Sequence, residues 1–141
     1  MVYMRKYKGR LTLGKAKEVM NDFLVENYGI ELDIPVEWGI DLERKWGSFL
    51  FKEVDQDIKF NGVSYEKGNV LKGSMKIVLN RELIHAKNKD LVNKILKHEA
   101  LHYAMYKKGV PFDDGDVEFE KEIERKGLVG TRVSRRDLQI K

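Results

Sequence analysis

Apolar residues recur every three to four positions between Leu13 and Tyr28, which is the spacing that buries one face of an α-helix. Thr12 precedes this stretch and Gly29 follows it, and these residue types are typical of a helix N-cap and a helix C-terminal stop. The pattern predicts an amphipathic helix that packs against other elements. Its apolar stripe comprises Leu13, Ala16, Val19, Met20, Phe23, Leu24 and Tyr28.

Short runs in which apolar and polar residues alternate follow this helix, and such runs predict β-strands. We expect strands within 34–38, 47–52 and 75–79. Within 57–65, Asn61 and Gly62 separate two short alternating runs, and an Asn-Gly pair is a strong signal for a tight hairpin turn.

A second helical pattern begins at Asn88 or Asp90 and continues through Met105 or Lys107, with Gly109 as its stop. A last helix is predicted over 115–126, and the tail beyond it is predicted to add a strand. One helix, several strands and then two helices indicate an α+β fold with a small, mostly antiparallel sheet and a hairpin.

The composition suits one domain, which we assign to residues 1–141, because 42% of the 141 residues are hydrophobic. There are no cysteines, so a metal ion must be held by histidine and carboxylate ligands. No apolar run approaches the length of a membrane span, and the N-terminus lacks the apolar core of a signal peptide, so we expect a cytoplasmic protein.

The net charge of +4 reflects basic residues that cluster towards both ends of the chain. We expect residues 1–10 and 128–141 to be basic, solvated and flexible ends. An alternative interpretation is a patch that contacts the phosphates of DNA. The basic residues concerned are Arg5, Lys6, Lys8, Arg10, Lys15, Lys17, Arg132, Arg135, Arg136 and Lys141.

His98, Glu99 and His102 form an H-E-x-x-H pattern within the second helical pattern. Residues four apart share one helix face, so both imidazoles can reach a single metal ion. From the adjacent position, the Glu99 carboxylate can take a proton from a water molecule held by that ion. The pattern predicts a zinc site with two histidine ligands and Glu99 as general base; the alternative is polar residues at the helix surface with no metal.

A catalytic zinc site usually has a third protein ligand, and the only other histidine is His85. His85 lies before the helix, and we expect it to be a surface residue. The third ligand is therefore predicted to be a carboxylate from the turn or helix that follows. The candidates are Asp113, Asp114, Asp116, Glu118 and Glu122, each of which has the alternative role of favourable charge near a helix N-terminus.

Most of residues 10 to 125 resembles the SprT-like zinc metallopeptidases, the minigluzincin-type H-E-x-x-H family that includes the protease domain of Spartan. The most specific part of the likeness is the Ile-Val-Leu-Asn run of 77–80, followed by 97–103 with its H-E-x-x-H pattern. The opening helix, Trp38 and the strand at 47–49 agree more loosely. The resemblance implies a zincin-like α+β fold.

In that family the third ligand is usually a histidine in a short stretch before the next helix. Asp114, followed by Gly115, occupies that position here, and aspartate is also a good zinc ligand. The resemblance therefore implies Asp114 as the third ligand, while Asp113, Asp116 and Glu118 remain alternatives. The family's usual zinc ribbon is missing from this cysteine-free chain.

These features predict a zinc metalloendopeptidase that cleaves protein or peptide substrates, including proteins associated with DNA. Its metal ligands would be His98, His102 and Asp114, and its catalytic residue Glu99. The alternative is a non-catalytic module, stabilised by metal, that binds nucleic acid or a protein partner.

Two further expectations concern aromatic residues and the strand at 47–52. Trp38 and Trp46 are expected to pack against the helices. By analogy with other H-E-x-x-H peptidases, the strand is expected to form a sheet edge that pairs with an extended substrate.

Overall fold

The computed structural model describes residues 9–40, 42, 45–130 and 132–140. Helix α1 spans Leu13–Tyr28, as predicted. The Thr12 hydroxyl accepts a hydrogen bond from the Lys15 amide, and Gly29 ends the helix in a left-handed conformation with φ 65°. Local sequence signals therefore set both ends of this helix.

A three-stranded sheet follows, made of β1 (Val36–Gly39), β2 (Gly47–Leu50) and β5 (Lys76–Asn80) in the order β1-β5-β2. Strand β5 pairs in parallel with β1 and antiparallel with β2. Because β5 is central, β2 lies at one edge of the sheet. The predicted edge position of this strand is confirmed for the part of the chain that the structure describes.

The predicted hairpin is also present and forms a separate two-stranded sheet. Strands β3 (Ile58–Phe60) and β4 (Val63–Tyr65) pair antiparallel. Asn61 and Gly62 have φ values of 50° and 77°, which is the pair of positive values that a type I′ turn requires.

A 3₁₀ turn at Arg81–His85 leads to α2 (Lys89–Lys107), which begins at the cap Asn88 rather than at Asp90. Helix α3 spans Val117–Arg125 and is shorter than predicted, because Gly115 has φ 88° and cannot belong to a right-handed helix. The α+β prediction, with an opening helix, a small sheet, a hairpin and two later helices, is confirmed.

The prediction of a C-terminal strand is wrong, because no strand is present within residues 128–130 and 132–140. A short helix, α4 (Arg135–Leu138), is present instead, because Ser134 and Asp137 form a reciprocal capping box. Leu138 is fully buried, and its carbonyl accepts hydrogen bonds from the amides of Lys87 and Asn88. The end of the chain is thereby held against the start of α2. The basic residues Arg5, Lys6, Lys8 and Lys141 lie outside the described residues.

One apolar core lies between α1, α2 and the sheet. Trp46 is buried in it and Trp38 packs against it, as predicted. Among the described residues, no helix combines the length and apolarity needed to cross a bilayer. Core residues of α2 and β5, which fix the position of the metal-site helix, include Ile77, Leu79, Val92, Leu96, Ala100, Leu101 and Ala104.

Candidate metal centre

The H-E-x-x-H residues lie on a buried face of α2. His98, Glu99 and His102 are 3%, 5% and 5% exposed. Each brings one potential ligand atom within 4.8 Å of the other two, so this group can hold a metal ion. The two imidazoles do not face apart, and the helical spacing has the effect that the sequence predicts.

Backbone carbonyls determine which nitrogen of each histidine faces the centre. Nδ1 of His98 lies 2.7 Å from the carbonyl oxygen of Val129, and Nδ1 of His102 lies 2.5 Å from that of Phe112. A carbonyl oxygen only accepts hydrogen bonds, so each Nδ1 carries the hydrogen and donates. In the neutral imidazoles, each Nε2 then has a free lone pair that is available to a metal ion.

Asp114 completes the cluster from the turn between α2 and α3. Its Oδ1 lies 2.9 Å from Nε2 of His98 and 3.3 Å from Nε2 of His102. Ligands about 2.0–2.2 Å from one tetrahedral zinc ion stand roughly 3.3–3.5 Å apart. The spacing to His102 matches that range, whereas the spacing to His98 is that of a hydrogen bond. The Asp114 side chain is 42% exposed, and it therefore marks the side from which the centre opens to solvent.

The charges at this cluster favour a cation. A carboxylate only accepts hydrogen bonds, so its approach to two nitrogen lone pairs is repulsive unless protons or a metal ion lie between them. Burial lowers the pKa of His98, but its hydrogen bond to Asp114 and the charge of Glu99 raise it more. Burial raises the pKa of Asp114, but its hydrogen bonds to His102 and His98 hold it well below its usual range. A divalent cation supplies the charge of two protons.

Glu99 lies beside the ligand atoms rather than among them. Its Oε1 is 3.8 Å from Nε2 of His102, which is farther than the Oδ1 of Asp114. Although Glu99 also belongs to the group of potential ligands, the shorter distances favour Asp114 as the third ligand. Burial raises the pKa of Glu99, and the charges of His102 and His98 oppose that rise only in part.

A small cavity lies next to this carboxylate. It has a volume of about 20 Å³, and its lining includes His98, Glu99 and Gly47. A cavity needs roughly 10–15 Å³ to hold a water molecule, so there is room for about one.

The other predicted acids have different partners in the structure. Asp116 accepts a hydrogen bond from the amide of Asp113, and Glu118 is exposed in the first turn of α3. Glu122 is buried and accepts hydrogen bonds from the Tyr28 hydroxyl and the Arg125 guanidinium. His85 is exposed, as predicted. Of the five candidate acids, Asp114 is the one whose described contacts include both histidines.

Aromatic rings hold the His102 imidazole in place. Phe119 stacks on one side at 4.2 Å between ring centroids, and Phe49 is parallel to it at 5.9 Å. Phe119 also meets the edge of His98. These packing roles, and the hydrogen bonds that the Phe112 and Val129 carbonyls accept, were not predicted from the sequence. Their apolar character and proximity to turns were the only available signals.

No protein-family model, no curated protein and no solved structure matches this chain at the level of significance required.

Proposed function

We propose that this chain is a zinc-dependent metallopeptidase of the SprT-like type. The observation that carries the proposal is the convergence of two histidine Nε2 atoms and the Asp114 carboxylate on one point, with the Glu99 carboxylate alongside. A site with three protein ligands and a solvent-facing side is the arrangement of catalytic zinc centres, whereas structural centres are closed by four.

Zinc is the metal that we propose for this donor set. Imidazole ligands favour zinc over calcium and magnesium, which prefer oxygen ligands. His98, His102 and Asp114 would hold the ion. When bound, zinc supplies a Lewis acid that polarises a peptide carbonyl and makes water more acidic.

Glu99 is the general base in this proposal. Its burial raises its pKa, which makes its carboxylate a better proton acceptor than an exposed glutamate. Glu99 would take a proton from the attacking water molecule as the water oxygen bonds to the peptide carbonyl carbon. The same carboxyl group then donates the proton to the leaving amine nitrogen.

The open edge of β2 suits recognition of extended polypeptide. The Asn80 amide donates a hydrogen bond to the Trp46 carbonyl. In an antiparallel pair only every second residue forms main-chain hydrogen bonds with the partner strand, so the residues that bond to β5 are Trp46 and every second residue after it. Gly47 and Phe49 therefore direct their main-chain groups away from β5, towards the open edge. A substrate segment added there as a strand would be held through its main chain, with loose side-chain preference.

The substrates that we propose are proteins, including proteins associated with DNA. The described basic residues near the end of the chain are exposed, and they include Arg132 and Arg136. Arg135 forms an ion pair with Glu82, which reduces its availability for phosphate. Binding to DNA that weakens steeply as salt rises would support this extension, and an absence of binding at low salt would refute it.

The variant Glu99→Gln tests the proposed function, with Glu118→Gln as a matched control on an exposed glutamate. We expect Glu99→Gln to retain stoichiometric zinc and to lose casein cleavage by on the order of 10²–10⁴-fold, because general base catalysis contributes about that much. Glu118→Gln should cleave at the wild-type rate. Wild-type cleavage by Glu99→Gln would contradict the assigned mechanism.

The alternative is a non-catalytic module, stabilised by metal, that binds nucleic acid or a protein partner. The feature that favours this module is Asp114, because the resemblance leads us to expect a histidine at that position. X-ray absorption spectroscopy of the zinc-loaded protein separates the two proposals. Three protein ligands with one exchangeable oxygen support the peptidase, whereas four protein ligands support the module.

A further inference from the structure

Gly47, the first residue of β2, lies directly against the catalytic carboxylate. A Cβ atom placed on Gly47 would stand 2.6 Å from Cγ of Glu99, 2.8 Å from Cδ and 2.9 Å from Oε2. Real Cβ atoms essentially never approach other heavy atoms this closely, so any larger residue would require one of the two to move.

Backbone conformation does not explain the glycine. Eight described glycines have positive φ values, and Gly47 is not among them. It lies within a regular strand, paired opposite Leu79 of β5. Glycine weakens a strand because it has no side chain to pack, so its presence here indicates a close approach by another group. That group is the side chain of Glu99.

A larger residue at position 47 would displace the buried side chain of Glu99. Glu99 is 5% exposed, and its Oε1 lies 3.8 Å from Nε2 of His102. A displaced carboxylate would move away from the ligand atoms into the adjacent small cavity, or move against the histidines.

We propose that Gly47 is a positioning residue for Glu99: the absence of its side chain creates the space in which the general base lies between β2 and the metal ligands. The inference deepens the proposed function and rests on it. Gly47 acts through Glu99, and its main chain remains available at the open edge of β2.

The chain offers a matched control. Gly130 lines the same small cavity as Gly47, but a Cβ placed on it would meet nothing within 4 Å. Gly130→Ala therefore makes the same chemical change at the same cavity without touching Glu99.

The kinetic test compares Gly47→Ala, Gly130→Ala, Glu99→Gln and the double variant Gly47→Ala/Glu99→Gln in zinc-loaded protein. We expect Gly47→Ala to lower kcat by about 10²-fold, since a misplacement of roughly 1 Å can have an effect of that size. Gly130→Ala should keep the wild-type kcat. In the Glu99→Gln background, Gly47→Ala should cause no further loss, because the group that it displaces is already inactive.

A second readout does not depend on activity. Crystal structures of Gly47→Ala and of the wild-type protein, both loaded with zinc, should differ in the position of the Glu99 carboxylate, with the zinc ligands unmoved. The zinc affinities of Gly47→Ala and of the wild-type protein, measured by competition with a chromophoric chelator, should agree within about threefold.

Three results would overturn the positioning role: a wild-type kcat for Gly47→Ala, an unmoved Glu99 in its crystal structure, or losses that multiply in the double variant. Multiplied losses would instead assign Gly47 to substrate pairing. Each of these results leaves Glu99 as the general base. By contrast, wild-type cleavage by Glu99→Gln would refute the proposed function, while the crystal structures would still test whether Gly47 sets the position of Glu99.

Discussion

Replacing Asp114 by asparagine removes the negative charge of the proposed third ligand while nearly keeping its shape. Its Oδ1 is within 3.3 Å of both histidine Nε2 atoms, and the four other candidate acids of the following turn and helix have no described contact with either histidine. Sites with four zinc ligands bind with about 10–16 kcal/mol in total, which corresponds to roughly 2.5–4 kcal/mol for each ligand. We therefore expect the zinc dissociation constant of Asp114→Asn to rise by on the order of 10²–10³-fold.

Competition with a chromophoric chelator at constant pH measures this change. Asp113→Asn is the matched control, because Asp113 is the adjacent exposed aspartate and has no described contact with the histidines. It should bind zinc as the wild type does. The reasoning is refuted if Asp114→Asn binds zinc normally, and more so if Asp116→Asn or Glu118→Gln shows the loss instead.

Two further predictions concern pH and stability. The pKa of His98 is raised in the metal-free protein, so protons should compete with zinc for this imidazole at a higher pH than they would for an ordinary histidine. A zinc dissociation constant that begins to rise only well below pH 6.5 would contradict this prediction. Glu122→Gln should lower the free energy of unfolding at pH 7 by about 1–3 kcal/mol, measured in urea, because a buried carboxylate loses charge-assisted bonds to Tyr28 and Arg125. The pKa of Glu122 is lowered in the folded protein, so its contribution to stability is present above the unfolded pKa near 4.3 and is lost as pH falls below that value. An equal loss of stability in the exposed variant Glu118→Gln, or a difference between Glu122→Gln and wild type that persists at low pH, would refute the assignment.

Elements with local signals could be predicted well from the sequence. Helix α1 has the predicted bounds because Thr12 and Gly29 act on the residues next to them. The Asn61-Gly62 turn specifies its hairpin in the same way, since both positive φ values belong to the turn itself. These elements depend little on the rest of the fold.

The end of the chain was predicted incorrectly because its conformation depends on distant residues. Alternation of apolar residues over so short a stretch is a weak signal that does not separate a strand from a single helical turn. The capping box of Ser134 and Asp137 and the burial of Leu138 against the start of α2 favour α4. Only the first of these was visible in the sequence.

The candidate site likewise has features that local spacing predicts and features that depend on distant residues. The spacing of His98 and His102 on one helix was enough to predict that their rings face one centre. Its surroundings come from elsewhere in the chain: the Val129 carbonyl is 31 residues from His98, and Phe49 approaches His102 from the sheet. Spacing along the chain also did not separate Asp114 from Asp113 or Asp116, because the conformation of the turn decides which carboxylate points towards the histidines.

An anomalous difference map at the zinc absorption edge, from crystals grown with zinc, tests the central claim most directly. The account predicts one strong peak about 2.0–2.2 Å from Nε2 of His98, Nε2 of His102 and Oδ1 of Asp114, with Glu99 outside that distance. A map with no peak at this point, or a peak bound by a fourth protein side chain with no position open to solvent, would contradict the account.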